Sequence, residues 1–359
     1  LVEEEGRFVS SCTCLPAQVW VGDRRLTMGA VGGVATPPEY RRRGYAGALM
    51  CAIVRRMQEM GLATSALWPF SFPYYRKFGW DFGCENRTYR FSPEKIGVLP
   101  EPEGVAPLEE GDLPEVAAAF AAHGRRLAFC TDRTEQWWRE LLRVAEVAPF
   151  ASPERTGGRM LVCREGGEVA GFALYKPPAG EEKRLHAQEL VSLTPDARLR
   201  LISALAQEEP SEISFGAPAS DRFRSQVPDP RQVAVTLDPG FSFRVVDPVV
   251  ALGVLPAPEG LRGTLAFTLR DPARPEAPLC ATVEATGESL AATGSRRAHA
   301  AAPLRLAAEI PTFSQIFSGY LRPETAWSMG RLEGDAASVA FAEALFPKWT
   351  AYRSSLEPG

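Results

Sequence analysis

The order of apolar and polar positions is clearest near the start of the chain. Residues 27–34 are small and apolar, as in a buried strand. From there the period changes: Leu49, Met50, Ile53, Val54, Met57 and Met60 recur at helical spacing, with Arg55, Arg56, Gln58 and Glu59 on the other face. Gly61 reads as the C-terminal stop of that helix, and residues 63–67 as the next apolar strand. Strand, loop, helix, strand is a βαβ unit, and its ligand is expected at the carboxyl end of the first strand.

A second α/β pattern follows a linker rich in proline and acid at residues 98–104. Asp112, Pro114 and Glu115 open an alanine-rich helix, and Thr134 caps another that holds Trp137, Trp138, Leu141 and Leu142. Residues 159–164 and 168–175 flank Gly166-Gly167, a hairpin signal. Thr194-Pro195 starts a helix through Ala206, and residues 212–215 form a strand. From about Phe243 the character changes again. Residues 263–270, 279–284 and 289–293 read as strands, 303–310 and 312–318 as short helices, and Asp335 as the cap of a last helix, 336–346. The fold class is α/β followed by α+β.

The loop of the first unit carries the chemistry. Tyr40-Arg41-Arg42-Arg43-Gly44-Tyr45-Ala46-Gly47 places three arginines and small residues where a strand meets a helix. Glycine lets backbone N–H groups turn toward an anion, the helix N-terminus adds its positive end, and arginine brings forked donors. The pattern predicts a phosphate site. Neither Gly-x-x-x-x-Gly-Lys-Ser/Thr nor Gly-x-Gly-x-x-Gly is present. The corresponding junction of the second pattern, residues 191–195, has no glycine and no arginine cluster. No phosphate ligand is expected there.

Composition narrows the partners. A length of 359 residues suits two or three domains, and a net charge of −4 argues against nucleic acid. No apolar run is long enough to span a bilayer, so no membrane partner is expected. The seven cysteines form no Cys-x-x-Cys pair, which suits reduced thiols in a cytoplasmic protein, and the three histidines show no metal spacing. Glu3, Glu4 and Glu5 read as solvated surface.

Arg41-x-x-Gly44-x-Ala46 resembles the coenzyme A motif of the GNAT acyl-CoA N-acetyltransferases, and Tyr75-Arg76-Lys77-Phe78-Gly79-Trp80 resembles a second hallmark of that family. Taken with Tyr40-Arg41-Arg42-Arg43-Gly44, they resemble the Eis-like (enhanced intracellular survival) subfamily. Residues 243–247 and 310–320 resemble the entry and middle of its C-terminal domain. The resemblance implies two tandem GNAT-like domains and a sterol-carrier-protein-2-like domain. These are expected at 1–92 (binding acetyl-CoA, and shortened at its N-terminus by a strand and two helices), 105–242 (degenerate) and 243–359.

It also implies roles. Arg42, Arg43, Gly44, Tyr45, Ala46 and Gly47 would hold the coenzyme's pyrophosphate, and Val34, Ala35 and Thr36 its pantetheine arm and thioester carbonyl. Phe70 and Ser71 would touch the coenzyme, and Tyr75 would protonate the departing thiolate. The carboxylate of Gly359 would be the base, brought into the first domain by the tail 348–352, although the chain runs past the aromatic ending usual in the family. The implied activity is acetyl transfer from acetyl-CoA to a primary amine: an aminoglycoside, a polyamine-like amine or a lysine side chain. No metal is implied. Homo-trimers or homo-hexamers are, with Trp137, Trp138 and Trp327 serving core or interface. The alternatives are a non-catalytic acyl-CoA sensor and a lipid or sterol carrier using the C-terminal domain.

Overall fold

The computed structural model describes residues 1–151, 157–178, 180, 183–354, 356 and 357. They divide into two compact units, residues 1–84 with 239–351, and residues 85–238 with 352–357.

The first unit contains two sheets. In one, the order is Val2–Glu4, Arg7–Val21, Arg24–Ala35, Thr64–Leu67, Ser242–Val245, Asp81–Phe82. The helix Tyr45–Glu59 buries Leu49, Met50, Val54 and Met57 against it, on the face predicted from the spacing. This close packing depends on Gly29, where a Cβ would lie 2.6 Å from the Met57 sulfur and 2.9 Å from that of Cys14. Ser242–Val245 runs antiparallel to Thr64–Leu67 and also pairs with Asp81–Phe82. A segment distant in sequence thus completes the first sheet.

The other sheet of this unit has the order Leu290–Thr293, Leu279–Thr286, Arg262–Arg270, Leu304–Glu309, Leu332–Gly334. Its third and fourth strands are parallel. Residues 304–309 correct the helix expected at 303–310: they are a strand in which Leu306 and Ala308 point inward at period two, and the helix Ile310–Phe317 begins only after it. All eight residues of that helix are buried. Phe267, Phe313 and Phe346 fill the space beneath the sheet with ring centroids 5.3–6.2 Å apart.

The second unit is built on the strand order Ala234–Pro239, Glu85–Phe91, Glu212–Pro218, Arg184–Ser192, Glu168–Tyr175, Arg159–Glu165, Val105–Pro107. Gly166 and Gly167, with φ of 60° and 91°, make the tight turn that their sequence predicts. Glu85–Phe91 precedes the boundary expected at residue 92, yet it pairs with Glu212–Pro218 of this sheet. Trp138 is buried between Phe120 and Phe172, so it serves the core, whereas Trp327 is 41% exposed.

Candidate active site

A wedge in the first sheet sets the geometry. Arg24–Ala35 pairs in parallel with Thr64–Leu67 only from Met28 to Ala30, opposite Thr64 to Ala66. Beyond that the two strands part. On its other edge Arg24–Ala35 follows Arg7–Val21 until a register shift at Ser11/Thr13, opposite Gly32–Ala35, where Gly33 has φ of 60°. Such a bulge takes backbone groups out of the regular ladder.

A cleft of about 800 Å³ opens at this place. Val34, Ala35, Thr36, Ala46 and Phe70 line it, so the structure brings five of the sequence-predicted residues together. Arg41 of the predicted arginine loop lines it too, as do Phe8, Ser10, Ser11 and Tyr74, which were not among the predicted site residues. Ser10 and Arg41 brace the rim. The Ser10 hydroxyl donates to the Ala35 carbonyl at 3.2 Å and meets the Thr36 hydroxyl at 3.0 Å, and Arg41 Nε donates to the Thr36 carbonyl at 3.0 Å.

Gly44 is the N-cap of the helix Tyr45–Glu59, with φ of 87° and no side-chain cap. The first-turn N–H groups of Tyr45, Ala46 and Gly47 therefore face the loop, aimed as an anion requires. A bulky side chain at Gly47 is disfavoured by Phe78, whose ring would lie 3.4 Å from its Cβ. Glu3 and Glu5 are exposed as expected, and Glu4, 39% exposed at its side chain, accepts the Tyr45 hydroxyl and lies 3.6 Å from Arg43 Nη1. That hydrogen bond to the carboxylate holds the Tyr45 phenol above its ordinary pKa. Among the described residues no ion pair engages Arg42, which is exposed with φ of 64°.

Ser71 caps the short helix Phe72–Arg76 by accepting the Tyr74 N–H at 3.4 Å, so its hydroxyl serves the backbone. Tyr75 lies on that helix, 3% exposed, with its ring 5.1 Å from Phe70 and 5.2 Å from Tyr74. Burial pushes its phenol up to about 12. Tyr74, one residue earlier, reaches the cleft wall, and its buried hydroxyl has no hydrogen-bond partner. Trp80 closes the motif by donating to Ser65 at 3.1 Å, and Ser65 in turn donates to the Gly29 carbonyl at 2.7 Å. The segment 75–80 is thereby tied to the strand that forms the wedge.

Gly359 lies outside the described residues. The tail before it follows two paths. Trp349 donates to the Phe317 carbonyl at 3.0 Å within the first unit. From Tyr352 the chain belongs to the second unit, where Tyr352 N–H donates to the Ala128 carbonyl at 2.9 Å. In that unit the helix Pro195–Ala206 is capped by Thr194, which takes the Ala197 N–H at 3.0 Å and donates to Glu165 at 3.0 Å. The chain's own side chains thus occupy this helix N-terminus.

Comparison with known families gives the same order of domains. Residues 1–83 match an acetyltransferase (GNAT) domain, 130–245 a second GNAT domain of another family, and 244–354 a sterol carrier protein domain. The chain carries two GNAT acetyltransferase domains followed by a sterol carrier protein domain.

The chain is similar along most of its length to several solved structures. A protein of Enterococcus faecalis V583 described as a probable N-acyltransferase has a TM-score of 0.83 at 22% identity, covering 97% of this chain and 86% of the other. Eis1 of Mycobacterium abscessus has a TM-score of 0.75 at 18% identity, covering 99% and 89%. These likenesses are of fold. An uncharacterized N-acetyltransferase of Streptomyces griseus is 25% identical over 150 residues, which are 38% of this chain. The match spans about a third of that relative's length (35%). Among the described residues no group of three His, Cys, Asp or Glu is placed to hold a metal, and no helix is long and apolar enough to cross a membrane.

Proposed function

We propose that this protein transfers the acetyl group of acetyl-CoA to a primary amine at the wedge of its first GNAT domain. The observation that carries this reading is one cleft that joins the bulged strand edge at Val34–Thr36 to Ala46, in the uncapped first turn of Tyr45–Glu59. The first-turn N–H groups and the guanidiniums of Arg42 and Arg43 hold the pyrophosphate. Backbone groups at 34–36 align the pantetheine arm and polarise the thioester carbonyl. The amine nitrogen attacks the carbonyl carbon, the C–N bond forms and the C–S bond breaks. A base takes the amine's proton, and the Tyr75 hydroxyl donates to the departing sulfur, whose protonation is completed from solvent. Gly359 is the proposed base. The acceptor classes are aminoglycosides, polyamine-like amines and lysine side chains.

Tyr74 is a second candidate for the acid, because it lines the cleft and its hydroxyl lacks a partner. The lipid-carrier alternative finds no support in the C-terminal sheet, whose inner space is filled by aromatic rings.

Thiol release from acetyl-CoA, measured with a panel of those amines, tests the reading. Amine-dependent release is the expected result. Acetyl-CoA binding without release would favour the sensor. Comparing the full chain with one ending at Glu357 tests the base. The cut moves the terminal carboxylate back by two residues, on the order of 7 Å of extended chain, and turnover is expected to fall at least ~10-fold. Unchanged turnover removes Gly359 from the mechanism.

Gly44→Val tests the anion site. A β-branched side chain at φ of 87° is strained by roughly 1–3 kcal/mol, which displaces the start of the helix. Acetyl-CoA affinity, followed by titration calorimetry, is expected to weaken ~10-fold or more while the protein stays folded.

A further inference from the structure

Arg244, which lies in the strand Ser242–Val245, is fully buried at its side chain, as is Asp271, just past the strand Arg262–Arg270 of the C-terminal sheet. One oxygen of Asp271 takes both Arg244 Nη2 and Arg274 Nε, each at 2.8 Å, and the other takes the Ala273 N–H at 3.0 Å. The two arginines then reach toward the cleft's supports. Arg244 Nη1 donates to the Phe78 carbonyl, in the turn that follows the Tyr75 helix, and its guanidinium lies 5.0 Å from the Trp80 ring centre. Arg274 Nη1 donates to the Gln58 side chain, near the C-terminal end of the helix Tyr45–Glu59, and its Nη2 to the Val246 carbonyl at 2.9 Å.

Ala273 is packed in the same buried cluster as Met57, Tyr75 and Trp80. Gly79 marks how close the approach is: its φ is 91°, and a Cβ there would lie 2.8 Å from Arg244 Nη1. Burial pushes the Asp271 carboxyl up, but the two guanidiniums outweigh it and hold the group below its ordinary pKa.

We infer that the 271–274 loop of the sterol-carrier-like domain is a positioning device for acetyl transfer, a buried clamp that fixes the turn behind Tyr75 and the far end of the coenzyme helix. The inference rests on the acetyl-transfer reading for its effect on turnover, and on contacts alone for its effect on structure. A single carboxylate shared by two forked cations defines one geometry, and the forks also donate to Phe78 behind the Tyr75 helix, to Gln58 at the far end of the coenzyme helix and to the Val246 carbonyl. Misplacing a reacting group by about 1 Å can cost 10²-fold in rate. The anion site lies at the opposite end of the helix from Gln58, so a loosened clamp disturbs the acid more than it disturbs coenzyme binding.

Arg244→Lys keeps a buried cation opposite Asp271 but cannot also hold the Phe78 carbonyl. The expected result is a fall in kcat of ~10-fold or more, a Kd for acetyl-CoA within about 2-fold of wild type, and faster amide exchange at residues 72–80. Leu345→Ala, a cavity in the last helix away from the clamp, is the control, and both variants are compared at equal loss of Tm. The proposal is overturned if exchange at 72–80 is unchanged in Arg244→Lys, or if Leu345→Ala loses as much kcat. Should Arg244→Lys not fold, Gln58→Leu makes the same comparison from the helix end, with faster exchange expected at residues 54–60 and unchanged exchange overturning the clamp. A wild-type protein that turns over no amine refutes the transferase reading, while the exchange data still decide the clamp.

Discussion

Replacing Tyr75 by Phe is expected to lower amine-dependent acetyl transfer by ~10²–10⁴-fold, the range of a lost general acid, with the KM for acetyl-CoA within about 2-fold of wild type. The phenol is held at about 12 by burial, so it keeps its proton at every pH used for assay. A thiolate, with a conjugate-acid pKa near ~8.5, is less basic than this phenolate, so complete transfer is uphill and Tyr75 acts by donating a hydrogen bond to the sulfur as the C–S bond opens, with protonation completed from solvent. The sign for pH follows. Tyr75 contributes no falling limb to the rate below about pH 11, and the wild-type profile should rise with pH as the amine or its base loses a proton. Tyr74→Phe is the comparison. Its hydroxyl is buried without a partner, so removing it should leave stability unchanged or improved and cost less than ~5-fold in rate. A large loss in Tyr74→Phe with little in Tyr75→Phe would transfer the acid role to the cleft-lining tyrosine. Thiol release over roughly pH 6–10 with both variants decides between them.

Local signals in the sequence were legible where one segment determines its own structure. The helix Tyr45–Glu59, its glycine N-cap, the hairpin at Gly166-Gly167 and the Thr194 cap all follow from spacing and backbone preference within a few residues. Five cleft residues were legible for the same reason, since a strand-to-helix loop carries its own anion chemistry. What depends on distant partners was not. Ser242–Val245 alternates polar and apolar residues as a strand does, but only its pairing with Thr64–Leu67 makes it part of the first sheet. Residues 304–309 are a strand rather than the expected helix because parallel pairing with Arg262–Arg270 overrides local preference. Glu4 took a partner forty-one residues away, which no charge pattern reports. Tyr74 and Tyr75 are adjacent and chemically identical, so only the turn of their helix separates cleft wall from interior.

The largest stability effect is expected at Arg133, in the second unit. Its side chain is fully buried and donates to both oxygens of Glu189, at 2.6 and 2.7 Å, and to Glu357 at 3.3 Å. The rings of Phe120, Trp137 and Trp138 surround the guanidinium with centroids 3.8–4.7 Å away. Glu357 also accepts the Thr131 hydroxyl at 2.7 Å and lies 3.5 Å from Arg353, which is itself buried. Arg133→Met leaves two carboxylates facing each other without their shared donor. Removing one member of a buried pair typically costs about 3–5 kcal/mol. For a unit of this size that is a Tm lower by roughly 10 °C, measured by calorimetry. The combined replacement Arg133→Met, Glu189→Leu removes a buried pair together while Glu357 keeps Arg353 and Thr131, and it should recover much of the loss, because well-packed apolar groups avoid the desolvation that the ions suffer. Failure to recover would assign the loss to packing around the guanidinium instead. The network also governs how shortened chains are interpreted. A cut after Tyr352 takes away Arg353 and Glu357 and strips Arg133 of one carboxylate, so lost activity would then reflect a damaged second unit. A chain ending at Glu357 keeps every one of these contacts. It alone isolates the two residues whose terminal carboxylate is the proposed base.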